Sequence, residues 1–356
     1  MCYKIYIFVP PYKITKNPYS FIKMKKFIEK VLILFCLVYP QISYSMWMTD
    51  DLGDRFQKRY VQHDDDYSGA VRSTIIKLTD SLTISHKAVL YIHGFNDYFF
   101  QKEMAEEFID HNYNFYAVDL RKYGRSIIKD QKKFQVRNLN EYFPDIDSAL
   151  TVMREEGMDT IILMGHSTGG LISTYYLLNN PTAKIDALIL NSPFFDWNLG
   201  NKEWLVPLIS AIGSIFPNLK IPQGESVYGQ TLDKNYHGEW EYNTNWKLHY
   251  NPYVDAGWIR AIDKAQKFIR KHPFEIKIPI LLMYSSESYY QSGWSEEAQQ
   301  SDAVLDVNDI KSIGRTLGHN ITLAKVEGGM HDLFLSKEGV RTALYTYLFN
   351  WLSKNI

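Results

Sequence analysis

From residue 70 onward, short apolar runs alternate with longer stretches in which apolar positions recur every three or four residues. The short runs cover 71–78, 88–92 (AVLYI), 114–118 (NFYAV), 160–164, 187–190, 280–284 and 321–326. Their near-continuous hydrophobicity predicts strands buried on both faces. Helical spacing covers 101–110, 141–156, 171–178 and 342–352. Apolar strands separated by helices predict an α/β fold: a mostly parallel central sheet with helices on both faces.

The rhythm breaks between Asp196 and Pro273. This stretch has none of the usual strand runs but carries Trp197, Trp204, Trp240, Trp246 and Trp258 among many tyrosines. A structureless loop of nearly eighty residues does not suit a compact domain, so residues 196–273 are expected to be a mostly helical cap inserted between two strands. The core is then residues 46–195 and 274–356.

The first 45 residues differ again. From Met24 the chain runs MKKFIEKVLILFCLVYPQISYS: lysines, a short apolar segment from Val31 to Tyr39, then Pro40 and the small-residue pattern ending at Ser45. This is the layout of a signal peptide cleaved after Ser45, and its apolar part is about half the ~20 residues that a spanning helix needs. Residues 1–23 fit neither a signal nor a core, which makes Met24 the expected start. The expected location is periplasmic or secreted, of bacterial type.

Composition narrows the partners. Apolar residues make up 46% and charged residues 22%, a soluble profile with ample core, and 15% aromatics point to an apolar binding surface. Seven lysines and one glutamate lie in the first 45 residues, so the remainder holds 32 basic against 39 acidic residues. An acidic balance of that kind does not recommend nucleic acid as a partner. Cys2 and Cys36 both lie in the leader, leaving no thiol or disulfide chemistry behind it. No HExxH, CxxC or Walker-type loop is present, so no metal and no nucleotide cofactor are expected.

The chemistry centres on MGHSTGG, residues 164–170, which joins an apolar strand to a helix. A serine hydroxyl is a poor nucleophile and needs a base, a group that orients the base, and donors for the developing oxyanion. Gly165 and Gly169 permit the strained turn that would expose Ser167, and Gly170 allows close helix packing. The chain order Ser, acid, His asks for a base beyond the last strand, and His331 in VEGGMHDLF answers it. His93 and His166 are expected to be structural.

HGFNDY, residues 93–98, follows the strand ending at Ile92, and here the chain resembles the α/β-hydrolase superfamily. More narrowly it is similar to the monoacylglycerol lipase, lysophospholipase and serine aminopeptidase-like group. The resemblance implies an oxyanion hole made by the backbone N–H groups of Phe95 and Thr168. DLRKYGRS, residues 119–126, resembles the group's DxRGxGxS turn with Lys122 in place of the first glycine, and is expected to be scaffold. The acid departs from the pattern: the usual position is Ser288, and a polar insertion over roughly 285–301 intervenes. Asp302 in SDAVLDVNDI matches the group's Asp-x-Val-Val signature, with Glu287 and Asp306 as rivals. The expected activity is hydrolysis of a carboxylic ester, such as a monoacylglycerol or lysophospholipid, by Ser167, His331 and Asp302, with transient contact to a membrane surface allowed. The alternative is an exopeptidase whose cap carboxylates Glu225, Asp233, Glu239 or Glu241 hold a substrate ammonium. A non-catalytic binding module is the third expectation, although no triad member is missing.

Overall fold

The computed structural model describes residues 46–79, 85–224, 227–291 and 293–356. The signal-peptide expectation for residues 1–45, and with it Met24, lies outside them. At the N-terminal edge, β1 (Met48–Asp50), β2 (Gly53–Asp66) and β3 (Gly69–Leu78) pair antiparallel, and β3 pairs antiparallel with β5 (Asn114–Asp119). The remaining neighbours are parallel: β5, β4 (Lys87–Ile92), β6 (Thr160–His166), β7 (Ala187–Asn191), β10 (Ile280–Ser285) and β11 (Ile321–Val326). Residues 46–69 carry no apolar run, because β2, flanked on its outer side only by the three-residue edge strand β1, buries only Phe56 and Val61.

Alternation along the strands divides the core between two faces. Val89 and Tyr91 of β4 point to the face covered by α1 (Lys102–Asp110) and α8 (Glu338–Asn355), where Met104, Phe108, Leu344 and Leu348 pack. Leu90 and Ile92 point to the opposite face, beneath α2 (Phe143–Glu155) and α3 (Thr168–Asn179). The 119–126 turn is braced by buried charge: Arg125 pairs with Asp50 at 2.6 Å and with Asp119 at 2.9 Å. Lys122, standing where the resemblance has glycine, takes a left-handed φ of +67° and sends its buried amine to Asp66.

The span between β7 and β10 contains α4 (Leu205–Gly213), the two-residue strand β8 (Lys220–Ile221), α5 (Tyr228–Leu232), β9 (Val254–Asp255) and α6 (Ala256–Lys271). Between α5 and β9 the chain runs as turns and irregular backbone. Helix α6 buries Ile259, Ile262 and Ile269 in the same core as α2 and α3, so the final turns of the insertion belong by packing to the layer that covers the sheet. The last connection carries α7 (Val307–Gly314) between β10 and β11.

Candidate active site

Ser167 sits at the junction of β6 and α3 with φ 52° and ψ −119°, a left-handed conformation costing a non-glycine residue on the order of 1–3 kcal/mol. Its backbone is held on both sides: its N–H donates to Asn191 at 3.0 Å, and its carbonyl accepts from Phe194 at 3.0 Å and Leu171 at 3.1 Å. The flanking glycines are required by contact. A Cβ on Gly169 would meet the Ile92 carbonyl oxygen at 2.2 Å, and one on Gly165 would meet the Gly169 oxygen at 2.5 Å. A turn this tight leaves the serine side chain facing a cavity.

His331 lies on the loop after β11, buried, with its Nε2 2.9 Å from Ser167 Oγ. Its Nδ1 is 2.9 Å from Asp302 Oδ2. Because a carboxylate only accepts, Nδ1 carries the proton and Nε2 is free to accept from the serine hydroxyl. The loop is fixed from below: Asp332 accepts from Asn191 at 2.8 Å, from Gln101 at 3.1 Å and from the Phe334 N–H at 3.1 Å. Ser285 Oγ donates to Gly329 O at 2.7 Å.

Asp302 is fully buried, and its Oδ1 accepts from Val304 at 2.9 Å and Leu305 at 2.8 Å. The polar insertion turns out to be pinched shut at its base. Asp302 donates to Glu287 O and accepts from Tyr289 N–H, each at 2.8 Å, which sets Asp302 beside Ser288. The side chain of Glu287 is exposed, and Asp306 caps α7 by accepting from Asn308 N–H. The structure brings Ser167, His331 and Asp302 together and leaves both rivals outside that contact.

Phe95 and Thr168 line the cavity beside Ser167. His93 is buried behind them: one ring nitrogen lies 2.8 Å from Gly94 O, and the other accepts from Leu120 N–H at 3.1 Å. Burial, offset only in part by Asp119 and Asp97, pushes His93 below its usual value, which favours this neutral tautomer. His166 stacks at a tilt 4.9 Å from the His331 ring, 3.7 Å from Asp97 and 3.9 Å from Asp332. Asp97, His166 and Asp332 bring one ligand-type atom each within 4.8 Å of one another. Lys247 already supplies a positive charge there, its Nζ 2.9 Å from Asp97 Oδ1.

The cavity measures about 710 Å³, within the ~300–1,000 Å³ range of small-molecule sites. Phe194, Trp197, Leu248, Trp258 and Leu305 give it an apolar wall. Tyr228 meets the edge of the His331 ring at 5.3 Å; burial, with Asp332, Asp97 and Asp302 nearby, raises its hydroxyl well above the usual value and keeps it neutral. The cap carboxylates considered for an exopeptidase are engaged elsewhere: Asp233 with His249, Glu239 with Arg341 and Glu241 with Lys234. Glu225 lies outside the described residues. Asn96, Lys247 and Tyr228 carry no sequence signal for a place in this site, since their partners are far away along the chain.

The family model described as serine aminopeptidase, S33, matches residues 83–338. Phospholipase YtpA of Bacillus subtilis is 23% identical over 253 residues, covering 70% of this chain and 89% of that protein. A probable lysophospholipase L2 of Haemophilus influenzae is 23% identical over 252 residues, covering 67% and 74% respectively. Among solved structures, a soluble variant of monoglyceride lipase from Saccharomyces cerevisiae matches with a TM-score of 0.62 at 17% identity, covering 89% of this chain and 97% of that one.

Proposed function

The chain belongs to the serine aminopeptidase, S33, family of α/β-hydrolases, and on that premise we propose that it is a serine hydrolase of carboxylic esters, with a single-chain lipid such as a monoacylglycerol or lysophospholipid as substrate. The observation that carries the reading is the pair of 2.9 Å contacts running from Asp302 through His331 to Ser167 beside an aromatic-walled cavity. Ser167 Oγ attacks the ester carbonyl carbon as its proton passes to His331 Nε2, and Asp302 steadies the imidazolium that forms. The carbonyl oxygen, now an oxyanion, accepts from the N–H groups of Phe95 and Thr168. When the tetrahedral intermediate collapses, the imidazolium gives its proton to the leaving alcohol. Water, deprotonated by His331, then cleaves the acyl-enzyme to the free acid and restores the serine.

Substitution Ser167→Ala should lower ester turnover by on the order of 10³ or more and abolish labelling by a fluorophosphonate, with the thermal unfolding midpoint retained. Substantial residual turnover in that variant would move the nucleophile elsewhere. A comparison of p-nitrophenyl esters with aminoacyl amides separates esterase from exopeptidase; faster amide turnover would favour the latter.

The cap adds support for a lipid surface as partner. From Trp204 to Leu219 no residue is charged, and the run is flanked by Lys202 and Glu203 on one side and Lys220 on the other. Helix α4 turns its smaller residues Val206, Ser210 and Gly213 inward, while Trp204, Leu208, Ile215, Phe216 and Leu219 on and around it are 46–72% exposed. Only Leu208 of these lies within the helix, whose Ile209 packs against the core, but five exposed large apolar side chains gathered on and beside one short helix suit contact with an interface. The patch adjoins the cavity through Leu199 and Glu203, which line it. Export is proposed on the leader pattern alone. Expressed from Met24 in a bacterial host, the protein should appear outside the cytoplasm, in the periplasm or the medium, with Met46 as its N-terminus, and a cytoplasmic product retaining Lys25 and Lys26 would refute export.

A further inference from the structure

The loop after β4 is fastened to the insertion residue by residue. The ring of Phe95 packs 4.7 Å from that of Trp258. Asn96 engages Leu248 in both directions, its Nδ2 donating to the carbonyl at 3.0 Å and its Oδ1 accepting from the N–H at 2.8 Å. Asp97 faces Lys247 at 2.9 Å, both side chains buried. Tyr98 accepts the Asn243 N–H at 2.8 Å and meets the Trp246 ring edge-on at 5.1 Å. Four consecutive residues, 95 to 98, thus contact 258, 248, 247 and then 243 and 246: partners that run down the insertion in the opposite direction.

The place of attachment matters more than its strength. Residue 95 is the one whose N–H would face the oxyanion, and the next residue holds a left-handed φ of +50°. Asn tolerates that region better than most residues, but the local backbone alone does not fix it there. The paired amide contacts to Leu248 do. An oxyanion donor is effective only within about 2.7–3.1 Å of where the charge develops, so a loop that relaxes by a few tenths of an ångström loses part of its effect.

We propose that Asn96 is a positioning residue: by clasping Leu248 of the insertion it aims the Phe95 N–H at the oxyanion, with the Asp97–Lys247 pair bracing the same loop. The proposal rests on the serine-hydrolase reading above. Two variants test it in the full-length protein with a short p-nitrophenyl ester as probe. Asn96→Gly keeps a backbone suited to positive φ and removes the clasp. Asn96→Asp keeps the shape and the acceptor for Leu248 N–H but loses the donor to Leu248 O. The expected result is a fall in kcat of about 10- to 100-fold for Asn96→Gly and a smaller fall, about 3- to 10-fold, for Asn96→Asp, with KM within about threefold of wild type. Fluorophosphonate should still label Ser167 to full stoichiometry in both, at a reduced rate. A loosened cap that served only to bind substrate would instead raise KM at constant kcat. The proposal is overturned by kcat within twofold of wild type in either folded variant, and Asn96→Asp decides alone if Asn96→Gly does not fold. A wild-type protein that neither labels nor turns over ester would instead sink the serine-hydrolase reading itself.

Discussion

Both oxygens of Asp302 are committed, Oδ1 to two backbone N–H groups and Oδ2 to His331 Nδ1. Asp302→Asn should therefore keep the shape while favouring the wrong imidazole tautomer, costing on the order of 10⁴ in ester turnover. Glu287→Gln and Asp306→Asn should each stay within a few-fold of wild type, because one side chain is exposed and the other caps α7. A crippled Glu287→Gln enzyme alongside an active Asp302→Asn one would reverse the assignment. Asp97 offers a pH test. Burial by itself would raise its carboxyl, but Lys247 foremost, with His166 and His93, holds it down to about 2 against an ordinary 3.8. A folded value below the unfolded one stabilises the protein above about pH 4, and that contribution is lost as pH falls toward 2. In Lys247→Met burial wins and the carboxyl rises, so the variant should lose on the order of 3–5 kcal/mol at pH 7 and less at pH 4.5, where Asp97 takes up a proton. Denaturant titrations at the two pH values check this, and an equal deficit at both would contradict it. Ser167 and His331 were legible in the chain because strand, glycine and loop signals surround them. Asn96 and Lys247 were not, since an ion pair or amide clasp spanning some 150 residues leaves no local pattern.

At the level of elements, the parallel strands were legible because strands buried on both faces are continuously apolar. Strand β2 was hidden for the opposite reason: a strand next to the sheet edge with only two buried side chains resembles a polar loop. The segment 285–301 was visible only as a polar interruption, and what could not be read was its closed base, where two backbone bonds of 2.8 Å bring Asp302 back beside Ser288. In the insertion the tryptophan-rich stretch signalled a cap, but not that Leu208 of α4 and the neighbouring Trp204, Ile215, Phe216 and Leu219 would stand exposed together. If that face meets lipid, Leu208→Glu combined with Ile215→Glu should reduce co-sedimentation with anionic phosphatidylglycerol vesicles by at least about tenfold, since each substitution removes an inserting side chain and adds like charge. Turnover of a short soluble ester should be unchanged, because both side chains point to solvent, away from the residues that line the cavity. Undiminished vesicle binding would show that α4 is not the contacting face.

For the whole molecule, the insertion is bound into the core at several places, among them Glu239 with Arg341 and Lys132 with Asp255, and two of the attachments bear most on whether it behaves as a removable lid. One place is the 95–98 loop, where four successive residues meet insertion partners. The other is α6, which buries Trp258, Ile259, Ile262 and Ile269 in the core shared with α2 and α3. At roughly 1.5–3 kcal/mol for each large apolar side chain, those four contribute about 6–12 kcal/mol of burial. Net stabilities of single domains are only about 5–15 kcal/mol. Removing residues 196–273 would forfeit most of that sum, expose the sheet face beneath α6, and leave the Asp97 carboxylate buried without Lys247. Replacing that span with a short Gly-Ser linker should therefore give a protein that aggregates or shows no cooperative unfolding, measured by size-exclusion chromatography and thermal melting. Recovery of a soluble, cooperatively folded core with ester turnover near wild type would show that the hydrolase scaffold stands without its insertion, and would also remove the physical basis for the clasp at Asn96.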